Sequence, residues 1–165
     1  MDRAAAIALR PARWPEDRAA LEFVRRRVFV EEQGVPESEE WDAEDARSWH
    51  VLAVAGIREP VGTGRLEAGG KIGRVAVLQA WRGTGIGGEI MRRLVNQATV
   101  LGFESVYLHA QTAAGGFYRR LGFRAEGPIF DEVGIPHVRM RMGIGPRDGN
   151  SAGRHGNEER HHDAR

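Results

Sequence analysis

The chain predicts an α/β domain of the α+β type, a mixed and mostly antiparallel central sheet flanked by helices. Three observations carry that prediction. Residues 49–54, 61–67 and 75–78 read as strands joined by turns at 56–60 and at Gly69-Gly70-Lys71, the pattern of an antiparallel meander. Apolar residues then recur at Ile86, Ile90, Leu94, Ala98 and Leu101, so one helix face is built to pack on a sheet. Between the last strand and that helix lies a glycine-dense turn, Arg82-Gly83-Thr84-Gly85-Ile86-Gly87-Gly88. Strand, glycine turn and helix in that order bring backbone N–H groups together at the positive end of a helix dipole, which is a cradle for an anion.

The 165 residues form one domain by length, assigned to 1–144, with a polar tail at 145–165. The tail holds four arginines, four acids and two alanines as its only apolar residues, and is expected to be disordered. Its His155, His161 and His162 are assigned no role. The 24 basic and 23 acidic residues nearly cancel, which argues against a nonspecific grip on nucleic acid or on an anionic membrane. The absence of cysteine excludes disulfides, thiol nucleophiles and thiolate metal sites. No spacing of histidines and carboxylates resembles a zinc site. The N-terminus lacks the apolar stretch of a signal peptide, and no run reaches membrane-spanning length, so a soluble cytoplasmic protein is expected.

Taken in order, residues 5–9 predict a first strand near a sheet edge. Pro15-Glu16-Asp17 starts a helix with Leu21, Val24 and Val28 on its buried face. Arg25, Arg26 and Arg27 fan out by about 100° each, so they read as a solvated helix flank. Residues 29–45 hold eight Glu and Asp with Gly34 and Pro36 as breakers, and read as a loop or short irregular helix whose carboxylates mostly face water. His50 is taken as a strand histidine without a role. Gly62 and Gly64 share one strand face, where another backbone or a ligand is expected to come close. Gly102 stops the glycine-turn helix, a strand follows at 105–108, and a last helix over 113–121 ends at Gly122. Residues 129–130 and 137–142 read as two strands around a turn at Gly134-Ile135-Pro136. The oligomeric state is left open, with the final strand one edge that a second copy could pair with as a homodimer.

The guest of the glycine turn is the functional question. A nucleoside-triphosphate loop requires Gly-x4-Gly-Lys-Ser/Thr, but the single lysine, Lys71, precedes the turn. The segment from Gly83 to Gly88 satisfies the dinucleotide pattern G-x-G-x-x-G. The acidic residue that should close the next strand is missing, because that strand ends in His109-Ala110 and Glu104 precedes it. The remaining pattern is Arg82-x-x-Gly85-x-Gly87. It resembles the pyrophosphate loop of the GNAT (GCN5-related) N-acetyltransferases. Arg27-Val28-Phe29-Val30-Glu31-Glu32-Gln33, Gly64-Arg65-Leu66, Leu108-His109-Ala110-Gln111, Phe117-Tyr118-x-x-Leu121-Gly122-Phe123 and Gly134-Ile135-Pro136-His137 are similar to its ElaA-like branch.

That resemblance implies the GNAT fold, with a sheet that splays beside the central strand, and acetyl-CoA as acyl donor. It implies backbone pairing of Val75 and Val77 with pantetheine. The amides of Arg82, Gly83, Thr84, Gly85, Ile86, Gly87 and Gly88 would hold the pyrophosphate, with Gln111 where many relatives carry asparagine. It further implies direct attack of an amine on the thioester, with Tyr118 giving a proton or hydrogen bond to the leaving thiolate. The base is open on the residues alone. His109 is the first candidate because imidazole titrates near neutrality, and Glu31, Glu67, Glu132 and His137 are its rivals. The acceptor is expected to be an amine on a small molecule or peptide, recognised by residues 29–45 and 130–136. A non-catalytic acyl-CoA-binding module and a nucleic-acid binder are the competing classes. The first would bind coenzyme A without turnover; the second rests only on the arginine run.

Overall fold

The computed structural model describes residues 6–146; the tail from residue 147 onward, with its expected disorder, lies outside them. Strand β1 (Ile7–Ala12) leads into helix α1 (Trp14–Arg25), which starts with Pro15 in its first turn and Glu16 and Asp17 near its positive end. The helix continues as a wider π-helical stretch over Arg26–Glu32, then comes a single turn, α2 (Glu37–Glu40). Strands β2 (Trp49–Ala55), β3 (Glu59–Leu66) and β4 (Ile72–Val77) follow. After them come α3 (Ile86–Val100), β5 (Ser105–Gln111), α4 (Gly115–Leu121), β6 (Arg124–Glu132) and β7 (Ile135–Gly143).

The strands form two antiparallel sheets, β1-β2-β3-β4 and β5-β7-β6, laid side by side. Among the described residues their strands are bonded to one another only at the base of β4 and β5, where the Tyr107 amide donates to the Gly70 carbonyl at 3.1 Å beside one parallel bridge between Lys71 and Tyr107. Beyond that bridge the two strands part. The expected splay is therefore present, and it leaves β4 and β5 each with a free inner edge.

Strand alternation explains how helices cover both faces of the larger sheet. Val51, Ala53 and Ala55 of β2 join the cluster under α3, whereas Leu52 joins Leu21 of α1. The approach of α3 is close because β3 lacks side chains there. A Cβ on Gly64 would sit 2.8 Å from Ile90 Cγ2 and 2.9 Å from Leu94 Cδ1, and one on Gly62 would sit 2.9 Å from Ile90 Cδ1. The neighbour expected at these glycines is thus a helix, neither a backbone nor a ligand. Ile86, Ile90, Leu94 and Ala98 are buried as their period predicts, but Leu101 lies past the last helical turn and is 57% exposed. Gly102 takes a left-handed φ of 85°, and the Phe103 amide returns to the Ala98 carbonyl at 3.0 Å, closing the helix end.

The final strand does not offer itself to a second copy. β7 lies between β5 and β6 with both edges bonded. The outer edge of that sheet is β6.

Candidate active site

The gap between β4 and β5 opens into a cavity of about 540 Å³. Of the residues singled out in the sequence, Val75, Val77, Arg82, His109, Gln111 and Tyr118 all line it. The Leu78 amide donates to Val61 of β3 at 2.9 Å, so by alternation the peptide groups of Val77 face the free edge. Arg82 Nε donates to the Val77 carbonyl there at 3.0 Å, and its Nη2 donates to both carboxylate oxygens of Glu32, at 2.9 and 3.1 Å.

The Arg82 amide is turned to the Gln79 carbonyl at 3.3 Å. Gly83 and Gly85 then take left-handed φ of 78° and 88°, which ordinary side chains avoid and which swing successive amides to one side. Gly85 caps α3, its carbonyl accepting from Glu89 N at 3.1 Å, and the first-turn amides of Ile86, Gly87 and Gly88 have no intrahelical acceptor. The Thr84 hydroxyl donates to the Trp81 carbonyl at 2.6 Å and braces the turn. The Ile86 side chain is buried in the core, so only its amide is available.

Tyr118 rises from α4 between Phe117 and Phe123, whose rings meet it edge-on at 5.0 and 6.1 Å. Burial pushes its phenol up to about 12, so the hydroxyl keeps its proton across the neutral range and is a donor. The amide nitrogen of Gln111 donates to Gln33 Oε1 at 2.8 Å, tying β5 to the end of the π-helical stretch. On the far wall His109 places Nδ1 3.2 Å from Glu132 Oε1, and His137 Nε2 lies 3.6 Å from Glu132 Oε2. The rivals for the base thus divide. Glu132 and His137 join His109 at the cavity, and Glu67 lies at its other end. Glu31 is a surface partner of Arg27 and is not among the lining residues.

Two features were missed from sequence. The first is a β-bulge in β4. Thr63 pairs with Ala76 and Arg65 with Gly73, so Arg74 and Val75 together oppose Gly64, and Arg74 takes a φ of 50°. The bulge releases peptide groups from the ladder beside the cavity. The second is a closed ring of charges that corrects the reading of the arginines and of the acidic segment as solvated. Arg25 is 1% exposed and binds Glu40 at 2.8 Å and Asp45 at 2.6 Å. Arg65 binds Asp45 and Asp42, each at 2.8 Å, and Arg74 closes the ring to Asp42 and Glu40, each at 3.2 Å. Only Arg26 and Arg27 of the trio lie on the surface, with Glu37 and Glu31.

Trp14 and Trp41 lie 5.4 and 5.0 Å from the Arg25 guanidinium. His50 is buried against Trp14 and bonds the Asp45 carbonyl at 2.8 Å, so it too braces the ring. Burial alone would raise Asp45, but Arg25 and Arg65 outweigh it and hold the carboxyl below the usual range. At Glu40 burial wins over Arg74, Arg25 and Arg65, and the carboxyl is pushed up.

A free-edged central strand and a half-buried tyrosine meet at one cleft, and a glycine-capped helix follows that strand. The family model for the acetyltransferase (GNAT) domain matches residues 16–144. The chain belongs to the GNAT family and is an N-acetyltransferase by class, with acyl-CoA as the family's co-substrate. Within it the chain falls in the ElaA-like branch. The crystal structure of Escherichia coli ElaA superposes with a TM-score of 0.74 and 29% identity over 83% of this chain and 99% of that one.

An acyl-CoA N-acyltransferase from Pseudomonas aeruginosa gives a TM-score of 0.74 and 30% identity over 83% and 99% of the two chains. The N-acetyltransferase YjcF of Bacillus subtilis, itself uncharacterised, is 40% identical over 122 residues, 72% of this chain and 86% of its own. Among the described residues no helix is long and apolar enough to cross a membrane, and no group of three or more His, Cys, Asp or Glu is placed to hold a metal ion.

Proposed function

We propose that this chain moves an acetyl group from acetyl-CoA to the amine of a small molecule or peptide, by direct attack in a ternary complex. The observation that carries the reading is that the free edge of β4, the Tyr118 side chain and His109 line one cavity. Its volume, about 540 Å³, lies in the range of small-molecule sites. The diphosphate rests on the amides from Gly83 to Gly88. Pantetheine pairs with the outward peptide groups of Val75 and Val77, displacing Arg82 Nε from the Val77 carbonyl. Gln111 borders the same groove from β5.

The chemistry needs a proton removed before attack and one supplied after it. An acceptor ammonium gives one proton to His109 Nε2, and the freed nitrogen pair forms the C–N bond at the thioester carbon. The resulting oxyanion is met by a backbone N–H of β4 at the bulge. The C–S bond then breaks, the sulfur takes the Tyr118 proton, and the proton left on the amide nitrogen returns to the tyrosine oxygen. His109 gives its proton to water, so one proton is released per turnover.

A coenzyme A release assay over an amine panel tests this. Tyr118→Phe should lower turnover by about 100-fold or more, the usual share of an acid–base group, with acetyl-CoA affinity kept. Turnover by Tyr118→Phe at the wild-type rate would refute the assigned role.

A further inference from the structure

Three groups at the mouth of the cavity sit in a chain: His109 on β5, Glu132 at the end of β6 and His137 on β7. We propose that Glu132 is a positioning residue for acetyl transfer, holding the His109 ring through Nδ1 so that Nε2 is the nitrogen offered to the acceptor amine. This rests on the reading of the cavity as an acetyl-transfer site.

The proton assignments follow from the partners. Glu132 Oε1 stands 3.2 Å from His109 Nδ1. A carboxylate accepts and does not donate, so Nδ1 carries the hydrogen and the neutral ring keeps its lone pair on Nε2. Without a partner the neutral ring of a histidine favours the hydrogen on Nε2, and a hydrogen bond at one nitrogen decides what the other does. Phe130 meets the ring edge-on at 5.0 Å and restricts its rotation. When Nε2 takes a proton, the new positive charge lies beside the half-exposed carboxylate of Glu132.

The other carboxylate oxygen of Glu132 faces His137. His137 Nδ1 lies 2.7 Å from the Ile135 carbonyl, which can only accept, so that nitrogen too is N–H. Its Nε2 is 3.6 Å from Glu132 Oε2, too long for a hydrogen bond, and it attracts that oxygen whenever the ring is protonated.

The hairpin between β6 and β7 is built to fix this arrangement. Glu132 pairs with Ile135 across a two-residue turn in which Val133 and Gly134 take φ of 50° and 76°. Glycine suits that conformation, but a β-branched residue there is strained. The turn keeps its shape through the Gly134 amide, which donates to Asp131 Oδ1 at 3.0 Å. Val133, Glu132 and His137 all line the cavity, so the strained residue lies where a substrate would press.

The test has one readout that does not need turnover and one that does. The charged and titratable groups facing His109 are Glu132 from β6, His137 and Arg139 from β7, and Tyr107 on its own strand. Ring nitrogen NMR on the full chain should find His109 protonated at Nδ1 in the wild type, and protonated chiefly at Nε2 in Glu132→Ala. With acetyl-CoA and spermidine, lysine methyl ester or a peptide with a free α-amine, Glu132→Ala should lose about 10- to 100-fold in kcat, part of what a base contributes.

Glu132→Gln, which can still accept from Nδ1, should restore the wild-type tautomer and part of the rate. Coenzyme A binding by calorimetry should match wild type in both variants. A wild-type ring protonated at Nε2, or a Glu132→Ala enzyme with the wild-type rate, overturns the proposal while leaving acetyl transfer intact. The expected tautomer with no amine acetylated by the wild type overturns both the catalytic role and the reading of the cavity.

Discussion

Replacing Asp45 by asparagine tests whether the buried charge ring stabilises the fold. Asp45 accepts from Arg25 at 2.6 and 3.2 Å and from Arg65 at 2.8 Å. Charge-assisted bonds are worth about 1.5–3 kcal/mol each when lost singly. Arg25 keeps Glu40 and Arg65 keeps Asp42, so neither guanidinium is left alone. The expected loss is therefore about 3 kcal/mol, the lower end for breaking a buried ion pair. For a chain of this size that lowers Tm by about 6–12 °C. Urea unfolding followed by tryptophan fluorescence measures it, and Trp14 and Trp41 beside Arg25 report on the ring itself.

The pH dependence gives a second handle. The carboxyls of Asp42 and Asp45 are held low by their arginines against the effect of burial. Their contribution is full above about pH 4 and is lost as pH falls through their folded values. Glu40 runs the other way, because its folded value is raised and protonation relieves a penalty. His50 is held low by burial, so the unfolded chain takes its proton first and stability falls below about pH 6.5. Asp45→Asn should flatten the acid-side loss below pH 4. A variant within about 1 kcal/mol of wild type, with an unchanged acid limb, would show that the ring contributes no more than surface pairs do.

Other substitutions probe the scaffold and the cleft. Gly64→Ala places a methyl within 2.8–2.9 Å of Ile90 and Leu94, and should cost about 1–3 kcal/mol in a denaturant melt. Gly85→Ala has room for its Cβ but holds a φ of 88°. It should cost about 1–2 kcal/mol and weaken coenzyme A binding measured by calorimetry. Tyr118 stays protonated to about 12, so its ionisation should not shape the alkaline side of the rate profile below pH 10. An alkaline limb near pH 9 that vanishes in Tyr118→Phe would contradict that assignment.

The elements and the cleft were legible because their signals are local. The helical period from Ile86 to Ala98 and the glycines at 83, 85, 102 and 122 each describe a few neighbouring residues, and each holds its predicted place. The ring was not legible because its pairs are 15 to 34 residues apart, and no helical or strand period links them. Counted by residue type alone, Arg25, Glu40 and Asp45 look solvated; only the tertiary fold matches each charge to a partner. The bulge escaped for a related reason. An arginine at positive φ leaves no trace in composition, and Arg74 is held there by Glu40 and Asp42.

That last contact links stability to the site. Arg74 belongs both to the charge ring and to the bulge in β4, so the same guanidinium anchors the acidic segment and fixes the kink beside the cavity. Six alternating charges closed on themselves leave no net charge to desolvate, which is how such a ring can be buried without an unpaired ion. The ring joins α1, the acidic segment, β3 and β4 through six ion pairs. The acidic segment that walls the cavity is thereby held in register with the strand expected to carry the thioester. Loosening the ring should then blur the cleft before the fold is lost.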